Sequence, residues 1–150
     1  IRDNPGGNLD TVVEMLRQIL PEGVIVTTKD RDGTAEEYTC DGAHEFTKPL
    51  AVLVNGSSAS ASEVFAAAVK DYGIGTIVGE TTFGKGVVQD VIGLRDGSSV
   101  KITTAEYFPP SGESINKKGV KPDVEIEFEQ DPNDPEADNQ LEKALEIVRQ

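Results

Sequence analysis

The chain has 150 residues, of which 37% are hydrophobic and 27% are charged, and its formal net charge is −13 at pH 7. This length is enough for one domain with a sizeable buried core. The negative charge argues against nucleic-acid binding, because phosphates attract basic surfaces. No apolar run approaches the roughly 20 residues that span a bilayer. Cys40 is the only cysteine, which excludes an internal disulfide.

The first third of the chain predicts a helix, a hairpin and a buried strand. Asn8 can cap a helix whose apolar residues keep one-face spacing until Pro21 ends it. Segment 24–40 alternates between polar and apolar residues about a central Asp-Gly pair, which is typical of a β-hairpin. The nearly continuous apolar run at 48–55 predicts a strand that is buried on both faces.

The remaining elements alternate between helix and strand. The spacing of apolar residues predicts a helix from about Ser60 to Tyr72, and a buried strand follows at 75–80. The pattern of segment 85–108 predicts a hairpin that turns at an Asp-Gly pair. The alternating pattern of segment 122–129 predicts a last strand. Helices and strands in this order, with hairpins between them, predict an α/β fold of repeated β-β-α turns.

The end of the chain is strongly acidic. Residues 121–150 contain ten acids and three bases, a net charge of −7. Such a charge run is usually solvated, and two prolines interrupt its segment 129–140. We therefore predict a domain over residues 1–128, followed at 129–150 by an acidic linker and a short C-terminal helix.

The stretch NGSSASASE, residues 55–63, places four serines between a predicted strand and a predicted helix. Small hydroxyls are ordinary residues in turns and at helix N-termini. A strand-to-helix turn can also hold a nucleophilic serine beside backbone N–H groups that stabilise an oxyanion. A nucleophile needs a base, and His44 is the only histidine. The residues around it are polar, and no acidic side chain is positioned to assist the imidazole. This disfavours a Ser-His pair.

Lys85 is the alternative base. The segment GETTFGK matches a phosphate-binding loop, but Gly86 stands where a Ser or Thr would bind magnesium, and β-branched residues follow it. Burial among glycines and apolar residues can lower the pKa of a lysine until it accepts a serine proton. Gln89, four residues on, is placed to orient the Lys85 amine. From these residues alone, it is equally consistent that Lys85 is a solvent-exposed lysine in a turn.

Four segments together resemble one family. They are RDNPGGN, LAVLVNGSSASASEVFAAAVKDYG, TIVGETTFGKGVVQ and LRDGSSVKITTAEYFPPSGESINKKGVKPDVEI. In order and spacing they resemble the core of the carboxy-terminal processing proteases, or tail-specific proteases, of peptidase family S41. The resemblance runs from about residue 1 to 127. It implies a ClpP/crotonase-like fold and a Ser-Lys dyad assisted by Gln.

The resemblance also implies a role for each residue of the site. Ser60 would be the nucleophile, Lys85 the general base and Gln89 the residue that positions the base. The backbone N–H groups of Gly6 and Ala61 would form the oxyanion hole, and no cofactor or metal would be needed. We accordingly expect a serine endopeptidase that cleaves the C-terminal tails of proteins through an acyl-enzyme. The alternatives are a non-catalytic peptide-binding or scaffolding piece and an acyl-thioester enzyme of crotonase-like shape.

Members of this family normally carry a PDZ domain that captures the substrate's C-terminus, so we expect one in the full-length chain. The family also implies an extracytoplasmic location, in the periplasm or at the outer face of the cell membrane. Because the chain opens at Ile1 without a signal segment, we expect it to be a piece of a longer protein. We expect such a piece to expose a sheet edge, to self-associate, and to be a weak peptidase or an inactive one.

Overall fold

The computed structural model of the chain describes residues 1–149, which form three helices and two sheets. In chain order the elements are α1 (Leu9–Arg17), β1 (Gly23–Asp30), β2 (Ala35–Cys40), β3 (Ala51–Val54), α2 (Ala61–Asp71), β4 (Thr76–Gly79), β5 (Val87–Gly93), β6 (Ser99–Phe108), β7 (Val124–Glu125) and α3 (Asn139–Val148). Within these residues, every helix is too short or too polar to cross a membrane.

One sheet is antiparallel and the other is parallel. The antiparallel sheet has the order β2-β1-β6-β5, so it consists of both predicted hairpins joined side by side through β1 and β6. The parallel sheet has the order β3-β4-β7. Because parallel strands require a crossover, α2 connects β3 to β4, and its N-terminus follows directly from the turn after β3.

The core lies between the first two helices and the sheets. Asn8 caps α1 as predicted, since its Oδ1 accepts a hydrogen bond from Thr11 N at 3.1 Å. The apolar faces of α1 and α2 pack on each other and on the strands beneath them. The largest fully buried aliphatic side chains of this core are Val13, Leu16, Leu20, Ile25, Val26, Val54, Val64, Val69 and Ile77. This packing fixes the start of α2 relative to the N-terminal segment.

Two segments differ from the sequence-based expectation. The strand predicted at 122–129 is confined to Val124 and Glu125, because its partner β4 ends at Gly79. Residues 129–136 are exposed, as expected for a linker, but the helix that follows packs against β3 and β4. Gln140 of this helix is fully buried, and its Nε2 donates to Ile126 O at 2.7 Å.

Arg2 joins the two ends of the chain. Its guanidinium donates to both carboxylate oxygens of Asp138, the N-cap residue of α3, and to Gln140 Oε1 at 2.8 Å. The guanidinium also lies 5.8 Å from the ring centroid of Phe128. The same N-terminal segment continues into the turn that contains Gly6. The C-terminal helix is therefore anchored to the segment that leads into this turn.

We expect Asp138→Asn to lower the thermal stability modestly at neutral pH. The guanidinium of Arg2 holds the pKa of Asp138 below its ordinary value. A carboxylate with a lowered pKa stabilises the fold above its unfolded-state pKa, and this contribution is lost as the pH falls through the folded-state pKa. Because the pair is partly exposed, we expect less than about 1 kcal/mol.

Thermal unfolding of parent and variant across the acid range checks this. The difference should be present near pH 7 and should close as the pH falls through the folded-state pKa of Asp138, because the carboxyl is then protonated in both states. Asparagine keeps an oxygen for the N-cap hydrogen bond, but its NH₂ cannot accept from Arg2, so the charge and one hydrogen bond of the pair are removed together. Glu136→Gln, in the exposed linker, is the matched control and should leave stability unchanged. A difference that persists at low pH would contradict the role assigned to the ion pair.

Candidate active site

The four serines of the turn after β3 differ in burial and in their contacts. Ser58 and Ser62 are buried, and their hydroxyls donate to backbone carbonyls of the N-terminal segment at 2.9 and 3.1 Å. Ser57 is exposed. Ser60 lines a cleft of 530 Å³. Two hydroxyls thus hold the N-terminal segment in place, and Ser60 is the serine of this turn that lines the cleft.

Ser60 sits in a strained turn. It is the N-cap residue of α2, with φ 58° and ψ −119°, in the left-handed region that residues other than glycine rarely adopt. Such a conformation costs on the order of 1–3 kcal/mol and persists only where the surroundings hold it. A serine on a sharp strand-to-helix turn is the arrangement that exposes the hydroxyl of known nucleophiles.

The buried carboxylate of Glu63 holds this turn. It accepts hydrogen bonds from Ser60 N at 2.8 Å, Lys85 N at 2.8 Å, Gly84 N at 2.7 Å and Thr82 Oγ1 at 2.6 Å. One carboxylate therefore fixes the backbone of both predicted dyad residues. Glu63 was not among the residues predicted for the site, although Ser60 and Glu63 have the S-x-x-E spacing of a capping box.

The cleft brings the predicted catalytic side chains together. Ser60, Lys85 and Gln89 all line it, and Lys101 lies at its exposed rim. Gln89 is not hydrogen-bonded to Lys85 among the described residues, and its Nε2 donates to Thr103 Oγ1 at 3.3 Å on the neighbouring strand. The Oε1 of Gln89 is then the group left to accept from an amine.

Tyr107 is a residue of this site that the sequence analysis missed. Its Oη lies 2.7 Å from the carbonyl oxygen of Lys85 and 3.0 Å from Ser60 Oγ. The side chain is buried on β6, and this burial raises the pKa of its phenol above the ordinary value. The phenol is therefore neutral at physiological pH. Only its place in an alternating strand was visible in the sequence, and that pattern gives no contact with Ser60.

Gly6 lies against the start of α2. Its φ is 93°, and a Cβ there would lie 2.5 Å from Ala59 O and 2.8 Å from Ala61 N, so only glycine fits. Ala61 is the first residue of α2, where an N–H has no acceptor within the helix and the helix dipole is positive. The Gly6 N–H donates to Asn4 Oδ1 at 2.9 Å. Both predicted oxyanion donors thus lie beside Ser60, and one of them is engaged.

An apolar recess lies on the other side of these two residues. It has a volume of 220 Å³, and Gly6 and Ala61 belong to its lining together with the side chains of Val12, Met15 and Phe65. The recess and the cleft share Gly7 and Asn8 at their border. The apolar recess therefore adjoins the cleft that Ser60 lines.

The other sequence candidates do not join the site. His44 is exposed in the connection before β3 and does not line the cleft. The loop that resembles a phosphate-binding motif donates the N–H groups of Gly84 and Lys85 to a carboxylate, which would repel a phosphate. Within residues 1–149, His, Cys, Asp and Glu form no cluster that could hold a metal ion.

Comparison with known sequences supports the resemblance. Residues 1–126 match the model of peptidase family S41. The carboxyl-terminal-processing protease of Synechocystis sp. is 44% identical over 127 residues, which cover 85% of this chain and 30% of that protein. The chloroplastic C-terminal processing peptidase of Tetradesmus obliquus is 46% identical over 137 residues, which cover 91% of this chain and 30% of that protein. The chain thus spans about 30% of the length of these relatives.

Solved protease structures also match the fold of this chain. A photosystem II D1 C-terminal processing protease matches with a TM-score of 0.80 and 42% sequence identity, over 100% of this chain and 38% of that one. The tricorn protease matches with a TM-score of 0.63 and 22% identity, over 100% of this chain and 15% of that one, which shows a shared fold alone. The predicted ClpP/crotonase-like α/β fold is confirmed.

We expect Gly6→Ala to destabilise the chain by about 1–3 kcal/mol, because the new Cβ would clash with the backbone of residues 59–61 at a φ that alanine resists. Gly7→Ala is the matched control, since a Cβ there meets nothing within 4 Å. Chemical unfolding of both variants checks this. Equal stability of the two would contradict the close approach of Gly6 to the start of α2.

Glu63→Gln should also be destabilising. The amide keeps one acceptor oxygen but turns its NH₂ toward N–H donors, so at least one buried donor loses its partner, at a cost of about 1–3 kcal/mol. Glu14→Gln, on the exposed face of α1, is the control. Urea unfolding of the two variants gives the comparison, and an unchanged midpoint for Glu63→Gln would show that the carboxylate is dispensable.

Proposed function

Because the chain belongs to peptidase family S41, we propose that it forms the proteolytic core of a serine endopeptidase that cleaves the C-terminal tails of protein substrates. The observation that carries this proposal is the shared cleft: Ser60 and Lys85 line it together, and Glu63 holds the backbone of both. The strained backbone at Ser60 also supports the proposal, because residues with strained backbone dihedral angles are frequent at functional sites.

In the proposed mechanism, Ser60 Oγ attacks the scissile carbonyl carbon while Lys85 Nζ takes the hydroxyl proton. The N–H groups of Gly6 and Ala61 stabilise the oxyanion of the tetrahedral intermediate. Lys85 then returns the proton to the leaving amine, and an ester on Ser60 remains. Water attacks this ester, Lys85 takes the proton of the water and passes it to Ser60 Oγ, and the new carboxyl end departs.

Two hydrogen bonds of the resting structure bear on this mechanism. The substrate oxygen must replace Asn4 Oδ1 as the acceptor of the Gly6 N–H. Such an exchange keeps the donor satisfied before and after binding. Gln89, in contrast, can keep its bond to Thr103, because its Oε1 is the atom that would accept from the Lys85 amine. Gln89 is thus a positioning residue in the proposal.

The substrate is proposed to be an extended peptide with an apolar side chain near the cleaved bond. The apolar recess bordered by Met15 and Phe65 adjoins both oxyanion donors, so a side chain next to the scissile carbonyl would enter it. A volume of 220 Å³ suits a small aliphatic group. The wider and more polar cleft at Ser60 would hold the peptide backbone.

The setting of the whole protein is proposed on the family alone. The proposal includes a PDZ domain that captures the substrate's C-terminus, and it places the protein outside the cytoplasm. The relative from Tetradesmus obliquus is named as chloroplastic. Self-association is proposed for this core, because β5 is an edge strand and exposes Val91 and Ile92. Long apolar edge strands tend to pair with other chains.

We expect Ser60→Ala in the full-length protein to lower the cleavage of a tail-derived peptide by at least about 10³-fold. Thermal unfolding should change little, since the loss of one hydroxyl leaves almost no cavity. Ser57→Ala, at the exposed serine of the same turn, is the control and should keep its activity. Full activity of Ser60→Ala would favour the alternative of a non-catalytic peptide-binding piece, or a different nucleophile.

Lys85→Ala should be about as damaging as Ser60→Ala, because the members of a dyad act as a unit. Lys101→Ala, at the rim of the same cleft, should keep most of the activity, and His44→Ala all of it. Turnover of one peptide by the three variants separates the possible bases. A severe loss in His44→Ala with an active Lys85→Ala would restore the Ser-His pair.

A further inference from the structure

We propose that Tyr107 is a further catalytic residue: its phenol oxygen receives the Ser60 hydroxyl proton in the resting enzyme and so holds the nucleophile in position until Lys85 takes that proton. This inference rests on the proposed function of Ser60 and Lys85. It goes beyond the Ser-Lys-Gln set, because none of those residues sets the direction of the Ser60 hydroxyl in this structure.

The direction of the two hydrogen bonds follows from a count of protons. Tyr107 Oη is 2.7 Å from Lys85 O and 3.0 Å from Ser60 Oγ. A phenol has one proton and a carbonyl has none, so the shorter bond uses the Tyr107 proton. Ser60 must then supply the proton of the longer bond. Among residues 1–149, Tyr107 is the hydrogen-bond partner of Ser60 Oγ.

The fold holds the phenol firmly. Tyr107 lies on β6, which has β1 on one side and β5 on the other, and its side chain is only 3% exposed. Its backbone N–H donates to Gly86 O at 3.1 Å. Tyr107 is therefore tied through its backbone and its hydroxyl to the two consecutive residues Lys85 and Gly86. A side chain so restrained can define one rotamer of Ser60.

Tyr107 is suited to hold a proton in place and not to remove it. Burial, followed by the negative charge of Glu63, raises the pKa of its phenol, so the tyrosinate that a base would require is disfavoured. During attack, the Ser60 proton leaves the hydrogen bond to Tyr107 and moves to Lys85 Nζ as the new C–O bond forms. Tyr107 keeps its own proton on the carbonyl of Lys85 throughout, so its charge does not change.

The test is Tyr107→Phe, with Tyr72→Phe as a matched control. The Tyr72 hydroxyl also donates to a backbone carbonyl, Val24 O at 2.9 Å, but does not line the cleft. Each substitution removes one hydroxyl and leaves one carbonyl without that donor. Tyr107→Phe also leaves the Ser60 hydroxyl without its acceptor, so it should lose at least as much thermal stability as Tyr72→Phe. In the full-length protein we expect Tyr107→Phe to lower kcat by roughly 10-fold or more with KM nearly unchanged, because Ser60 then samples several rotamers. Tyr72→Phe should keep the parent kcat.

The possible outcomes separate this inference from the proposed function. Equal kcat for the two tyrosine variants would overturn the role of Tyr107. A higher kcat for Tyr107→Phe would overturn it too, because the hydrogen bond would then hinder Ser60 instead of positioning it. If Ser60→Ala retains activity in the same assay, the proposed function itself fails. If Ser60→Ala is inactive and Tyr107→Phe is unimpaired, only the inference on Tyr107 fails.

A second replacement covers the case in which Tyr107→Phe does not fold. A fluorinated tyrosine at position 107 keeps the phenol and its bond to Lys85 O, but its oxygen is a poorer acceptor for the Ser60 proton. We expect a smaller fall in kcat, again with KM unchanged. An unchanged kcat would overturn the proposal, because acceptor strength would then be irrelevant to the nucleophile.

Discussion

The site depends on one buried carboxylate. Glu63 accepts hydrogen bonds from the backbone of Ser60 at one end of α2 and from Gly84 and Lys85 on the loop after β4. An ionised group inside a protein is tolerated only when hydrogen bonds replace its water, and Thr82 supplies one more donor. This requirement makes the arrangement rigid, because any shift of either segment leaves a charge or an N–H group unsatisfied. The spacing between the backbones of Ser60 and Lys85 is thereby set by hydrogen bonds to a buried group.

The N-terminal segment is joined to this core by a second set of bonds. Ala59 N and Ser62 Oγ both donate to Asn4 O, and Ser58 Oγ donates to Ile1 O. The serine-rich sequence of the turn is explained by these contacts as much as by the nucleophile proposed at Ser60. They place Gly6 directly against Ala61, so the two proposed oxyanion donors come from segments that are more than fifty residues apart.

Sequence patterns predicted what local rules determine. The Asp-Gly hairpins, the cap at Asn8 and the helix after the serine turn were recovered because turn chemistry and apolar spacing act over a few residues. The family resemblance further nominated Ser60, Lys85 and Gln89. Tyr107 and the docking of α3 were missed, since both depend on contacts across 47 and 136 or more residues that no local pattern encodes. The bond from Gln89 to Thr103 was missed for the same reason, because it is a contact between paired strands.

The structure shows a resting arrangement, from which the proposed reaction departs at two hydrogen bonds. At rest the Gly6 N–H is bonded to Asn4, and the Ser60 hydroxyl is bonded to Tyr107. Neither group is left unsatisfied, which avoids the cost of empty donors in a partly buried cleft. In the proposed reaction both are exchanged, the first for the substrate oxygen and the second for Lys85. Each exchange gives the proton a new acceptor, while Asn4 Oδ1 and Tyr107 Oη lose their donors. A substrate that supplies a carbonyl at Gly6 would therefore prepare the oxyanion site in the same event that brings its carbonyl carbon to Ser60.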